Sequence, residues 1–184
     1  MKFNDQVRKV LLDLLYAKEP EIVLRGDVDA DMEEYVFWAM AKLRGRNCPP
    51  VTITIDSPGG SSDRGHDIFD IIKLYPGNTT GIGFSRVDSS AALIIQACNT
   101  RCLNRHAKMC IHNPSRNSVS LDELTSKKKL AELIADLKGY QKILIAVFAG
   151  RSGKSQKVIR AQLAKDTHMN AQEALAFGLV DKIV

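Results

Sequence analysis

Aromatic residues are scarce in this chain, at 6% with a single Trp, and no apolar run approaches the length of a membrane span. The first shortage argues against a surface that stacks nucleic-acid bases, and the second against insertion into a bilayer. Cysteine is sparse and irregularly placed: Cys48, Cys98, Cys102 and Cys110 lack the paired Cys-x2-Cys spacing of structural zinc sites. Charge of one sign is lacking as well, since 26 Lys+Arg oppose 21 Asp+Glu for a net +5. The one basic run, Lys127-Lys128-Lys129, lies among Asp122, Glu123 and Glu132, which reads as a solvated helix face and not a phosphate-binding strip. No secretory apolar stretch follows Met1-Lys2-Phe3-Asn4-Asp5, because Arg8, Lys9 and Asp13 interrupt it. The expectation is a cytoplasmic protein with reduced thiols, without nucleic-acid or membrane partners. Internal repeats, low-complexity tracts and interdomain linkers are not evident.

What is present is enough for one core. The 184 residues are 45% hydrophobic, so a single domain over 1–184 can hold together without disulfide or metal. Val7, Val10, Leu11, Leu14 and Leu15 recur at helical spacing before Pro20. A strand is expected over 21–24, a helix over 31–43, and a β-branched strand over 51–55 leading into Ser57-Pro58-Gly59-Gly60 and a helix with Ile68, Ile71 and Ile72. Strands over 79–83 and 108–111 flank a short apolar helix over 90–97. One long helix is expected over about 121–149, with Gly139 as a candidate kink, and it outruns what a small core covers. Helices over 156–165 and from the N-cap Asn170, with Glu173 three residues on, precede Gly178 and a terminal strand over 179–184. The alternation of strand and helix predicts an α/β fold with crossover connections.

Three segments can carry chemistry. After a buried strand, Gly59 and Gly60 can turn backbone N–H groups toward an anion or carbonyl oxygen, although the same residues serve ordinary turns. Ser89 and Ser90 stand at the mouth of a short apolar helix, where a hydroxyl caps the helix or acts as a nucleophile beside an unpaired N–H. His112 ends an apolar strand, where an imidazole is held rigidly. Activated-serine chemistry needs an orienting carboxylate too, and Asp166 is the candidate.

Together, Ile55-Asp56-Ser57-Pro58-Gly59-Gly60, the Ser89 segment, Ile111-His112-Asn113-Pro114, and Asp166 through Ala171-Gln172-Glu173-Ala174 to Phe177-Gly178-Leu179-Val180-Asp181 resemble the Clp peptidase family. The resemblance implies a Clp/crotonase-like α/β fold of repeated β-β-α and βαβ units with a projecting long helix for ring–ring assembly. It implies a serine endopeptidase with Ser89 as nucleophile, His112 as general base and then acid, and Asp166 orienting the imidazole. The oxyanion donors would be the N–H groups of Gly59 and Ser90, with no metal or cofactor. A homo-oligomer of stacked rings, enclosing sites for peptides or unfolded protein, is implied as well. A partner unfoldase of the AAA+ type is a further expectation, left open by the few residues before Val7.

The chain departs from the family pattern before the nucleophile. Where the family reads Gly-x-Ala-x-Ser, this chain reads Gly83-Phe84-Ser85-Arg86-Val87-Asp88-Ser89, two residues longer. An ungapped reading puts Val87 at the nucleophile position and makes the chain a non-catalytic ring subunit; the Ser-x-Ala-Ala-Leu-Ile-Ile pattern favours Ser89. Ser90 is a rival nucleophile, and Asp88 is an unexpected charge beside an oxyanion. His168 is a rival base, whereas His66 is expected to face solvent. Acyl-CoA chemistry on the same fold is a third functional class, without a recognisable CoA pocket. Gly150-Arg151-Ser152-Gly153-Lys154-Ser155 fails as a phosphate loop, since Phe148 occupies the position of the first glycine. Cys98, Cys102, Cys110 and the nearby His106 sit in segments read as core, and are not taken as zinc ligands.

Overall fold

The computed structural model describes residues 5–116 and 118–184, so the expectation drawn from residues 1–4 lies outside the described residues. The order is α1 (Asp5–Tyr16), β1 (Glu21–Arg25), α2 (Ala30–Arg44), β2 (Val51–Ser57), α3 (Ser62–Lys73), β3 (Thr79–Asp88), α4 (Ser90–Ile94) with a 3₁₀ turn (Ile95–Ala97), β4 (Thr100–Leu103), β5 (Lys108–Ile111), α5 (Leu121–Thr125), α6 (Lys127–Ser152), α7 (Gln156–Leu163), β6 (Thr167–Asn170), α8 (Ala171–Phe177) and β7 (Lys182–Ile183). Strands β1-β2-β3-β4-β7 form a parallel sheet, and β5 and β6 continue it from β3 as a side branch. Parallel strands need crossovers, and the intervening helices supply them. The core gathers Ile53 and Ile55 of β2, Val36 and Met40 of α2, Ile68 and Ile72 of α3, and the apolar α4.

The structure corrects the expected pattern in several places. Strand β3 runs to Asp88 instead of stopping at Gly83, because the extra residues form a bulge. Ile55 pairs with Gly83 and Ser57 with Val87, so two steps along β2 answer four along β3. The bulge also changes partners: Thr80 to Gly83 pair with β4, whereas Arg86 to Asp88 pair with β5. Strands β4 and β6 are additions to the expected set.

The long helix expected over 121–149 is two helices. Ser126 leaves helical backbone at φ −82° and ψ 113°, and its hydroxyl accepts from the Lys129 N–H to start α6 afresh. Helix α6 then runs 26 residues to Ser152, through Gly139 as one element, and ends at Gly153 with φ 70°. Only Ile145 and Phe148 of α6 are fully buried, so most of its length stands off the core.

Candidate active site

Ser89 links β3 to α4 with φ 57° and ψ −123°, a region that non-glycine residues rarely enter. Its hydroxyl makes no cap bond to the helix it precedes, and its N–H donates to the Cys110 carbonyl at 2.8 Å. That bond ties the turn to β5, whose next residues, Ile111 and His112, line the same cavity as Ser89. The cavity is about 930 Å³ and also presents Gly59, Gly60, Ser90 and His66. One wall is the inner face of α6, from Leu133 to Phe148.

Glycine is required where Gly59 meets the serine turn. Gly59 has φ 89°, and a Cβ there would stand 2.6 Å from both the Asp88 carbonyl oxygen and the Ser89 Cβ, and 3.1 Å from the Ser90 nitrogen. The N–H of Ser90, first in α4, has no acceptor among the described residues and lies beside this close approach. The Gly59 N–H donates to Ser57 Oγ at 3.1 Å, so it is engaged inside its own turn.

His112 is half-buried, and its Nδ1 lies 2.6 Å from the Asn113 carbonyl oxygen. A carbonyl only accepts, so Nδ1 carries the proton and a neutral ring keeps Nε2 as a lone-pair acceptor. No hydrogen bond joins His112 to Ser89 or to Asp166 among the described residues. Asp166 sits at φ 49° in the turn before β6 and does not line the cavity. The ladder nonetheless converges on it: β5 and β6 are antiparallel, Ile111 pairs with Thr167, and just beyond that pair stand His112, which follows Ile111, and Asp166, which precedes Thr167. His168 pairs across from Cys110, its Nε2 3.7 Å from the sulfur, and is outside the cavity. The Cys110 thiol is pushed up to about 11, first by burial and then by the nearby Asp88 and Asp166 charges.

Val87, the position that an ungapped reading would make the nucleophile, is fully buried in the ladder between Ser57 and Met109. Asp88 is buried too, and its carboxylate accepts from the Arg86 guanidinium, which the bond holds above its ordinary value. The Arg86 N–H in turn donates to Asp56 Oδ1 at 3.2 Å. The longer segment thus supplies the counter-ion for the charge next to Ser89. Ser90 is buried, its Oγ without a partner.

Two cavity residues escape a reading of the sequence. His66, expected to face solvent, is half-buried and stacks on Tyr140 of α6 with ring centroids 5.2 Å apart at 14°. The Tyr140 hydroxyl donates to Asp63, joining α6 to the start of α3. A signal existed in Gly65, whose Cβ would stand 2.7 Å from the Ser90 Cβ, but only the packed helices reveal it.

The family model described as Clp protease matches residues 5–184. The chain belongs to the Clp protease family. Among similar curated proteins, the ATP-dependent Clp protease proteolytic subunit 1 of Protochlamydia amoebophila is 32% identical over 138 residues, 73% of this chain and 65% of the relative. The proteolytic subunit 2 of Pseudomonas aeruginosa is 28% identical over 177 residues, 91% of this chain and 82% of the relative. A solved structure of a ClpP1 point mutant from Listeria monocytogenes superposes with a TM-score of 0.78 over 97% of this chain and 95% of that one, at 21% identity. The Clp fold expected from the sequence is therefore the fold observed. No helix among the described residues is long and apolar enough to cross a membrane.

Proposed function

We propose that this Clp protease family chain is a serine endopeptidase, the proteolytic subunit of a self-compartmentalised assembly. The observation that carries the reading is the turn at Ser89. Strained backbone, an uncapped hydroxyl, an unpaired Ser90 N–H and His112 converge on one cavity. Similarity to relatives named as proteolytic subunits supports it.

In the proposed reaction Ser89 Oγ adds to the peptide carbonyl and gives its proton to His112 Nε2. The oxyanion is received by the Ser90 N–H. Gly59 is the second donor, exchanging its bond to Ser57 Oγ for a charged acceptor, which is the stronger interaction. The imidazolium returns the proton to the amine as the C–N bond breaks, leaving an acyl-enzyme that water hydrolyses by the same route. Asp166 orients His112 once the Nδ1–H leaves the Asn113 carbonyl and turns across the β5–β6 ladder. The exposed Leu121, Leu124, Ile134 and Ile143 of α5 and α6 support stacked homo-oligomeric rings that cover them. The proposed setting is cytoplasmic, with peptides or unfolded proteins as substrates and an AAA+ unfoldase as a partner.

A second reading, a non-catalytic ring subunit, draws on the His112 bond to Asn113 and on Asp166 lying outside the cavity. Intact-mass labelling with a fluorophosphonate separates the two. Wild type should gain one adduct per chain, lost in Ser89→Ala and His112→Ala and retained in Ser90→Ala. An assembled wild type that takes no label would overturn the peptidase reading in favour of the second.

A further inference from the structure

His112 stands at the end of β5, and its neighbour Asn113 ties that end to α6 and α7. The Asn113 N–H donates to the Leu163 carbonyl of α7 at 3.0 Å, and the Asp166 N–H approaches the same carbonyl at 3.5 Å. The side-chain oxygen of Asn113 accepts from Gln141 Nε2 of α6 at 2.8 Å, and Gln141 Oε1 accepts from the Arg160 guanidinium of α7 at 3.1 Å. Pro114 follows, which keeps Asn113 out of the helical region. Held at its N–H, at its side chain and by the proline after it, Asn113 has little freedom to turn its carbonyl. That carbonyl is the group on which His112 Nδ1 rests, at 2.6 Å.

We infer that Asn113 and Gln141 are positioning residues that latch His112 away from Asp166, and that Gln141 sets how often the imidazole is released to the triad. The inference deepens the serine-peptidase reading and rests on it. Two acceptors compete for the Nδ1–H: the Asn113 carbonyl, which holds it here, and the Asp166 carboxylate, which stands across the β5–β6 ladder. An ionised acceptor makes the stronger bond, so the carbonyl prevails only while it is placed in advance. Gln141, itself fixed by Arg160, holds it in place. Without Gln141, keeping the carbonyl on the ring costs backbone freedom that Asn113 would otherwise recover. The balance then moves toward Asp166, and a ring oriented by that carboxylate is the one that takes the Ser89 proton. Neither Gln141 nor Arg160 lines the cavity, so Gln141 touches no substrate and acts through His112.

The rate of fluorophosphonate labelling, read by intact mass at matched oligomeric state, tests the latch. Gln141→Leu and Asn113→Ala keep the residue-113 carbonyl but cut its side-chain anchor, and each should label Ser89 about fivefold faster than wild type. Gln141→Glu, which still accepts from Arg160 and from a flipped Asn113 amide, should return the wild-type rate. The gain should also depend on the carboxylate: Asp166→Asn combined with Gln141→Leu should label no faster than Asp166→Asn alone. A Gln141→Leu rate at or below that of wild type, or a gain that survives Asp166→Asn, would overturn the latch and leave the peptidase reading intact. No label in wild type or in any variant would overturn the peptidase reading, and the latch with it.

Discussion

Ser57 of β2 pairs with Val87 of β3, although the pairing of Ile55 with Gly83 two residues earlier leads to a different partner. The slip of two absorbs the longer segment before the serine turn, so Ser89 still arrives opposite Gly59. Bulges characteristically re-aim a strand end next to functional sites, and this one also trades β4 for β5 as neighbour. It leaves Phe84, Ser85 and Arg86 exposed.

The bulge gives Asp88 its counter-ion, and that pairing predicts how Arg86 affects chemistry. In Arg86→Ala the Asp88 carboxylate stands uncompensated near the developing oxyanion, and labelling of Ser89 should slow by about fivefold. Adding Asp88→Asn should restore the rate, because the two changes act on one charge. Equal rates in wild type and Arg86→Ala would show that the Asp88 charge does not reach the oxyanion.

Strain at Ser89 makes a separate prediction about stability. A residue held near φ 57° and ψ −123° costs on the order of 1–3 kcal/mol unless it is glycine. Ser89→Gly should therefore melt about 2–6 °C above Ser89→Ala, with both inactive. Thermal denaturation of the two at equal oligomeric state reads the difference, and coincident melting curves would mean that the turn is not strained.

Much of this arrangement is legible in the residues themselves, and the rest is hidden for identifiable reasons. The glycine turn after β2, the Asn170–Glu173 capping box and the Gly178 stop are local signals, and each stands where expected. Strand β4 is masked by Arg101, which looks unfit for a buried strand until Asp181 arrives from 80 positions away to neutralise it. Strand β6 is four mostly polar residues, ordered by pairing with β5. Ser126 resembles any other polar residue in a helical stretch. His66 lies two positions before the core residue Ile68, roughly 200° around the helix, which is the solvent side until α6 covers it. Ser89 and Asp166 stand in recognisable sequence motifs, but the register that brings β5 and β6 together is a long-range property.

Gly139 supplies a control for these local arguments. It lies within α6, is exposed, and a Cβ there would meet nothing within 4 Å. Gly139→Ala should stabilise by about 0.5–1 kcal/mol through helix propensity alone, leaving labelling of Ser89 unchanged. A loss of stability on denaturant unfolding would instead show that a second copy of the chain packs closely there, as the proposed ring assembly allows.

The Arg101–Asp181 pair fixes the junction of β4, α8 and β7, and its pH dependence has a definite sign. Arg101 is buried and donates to both Asp181 oxygens, to Gln96 Oε1 at 2.7 Å and to the Gly178 carbonyl at 3.1 Å. Its guanidinium, through those hydrogen bonds, holds the Asp181 carboxyl below the ordinary carboxylate value. A carboxyl depressed by folding contributes stability that is fully present above its unfolded value of about 3.9 and fades as pH falls toward the folded one. Asp181→Asn leaves a buried guanidinium without its anion. It should cost about 2–3 kcal/mol near pH 7, below the usual loss for a broken buried pair because Asp181 is itself 37% exposed. The difference between wild type and Asp181→Asn should hold down to about pH 4 and shrink as pH falls below that toward the depressed folded value, as protonation of Asp181 does to the wild type what the substitution does at neutral pH. Urea unfolding of both proteins across that range measures it, and a difference that stays constant would mean that the two side chains are coupled by packing and not by charge.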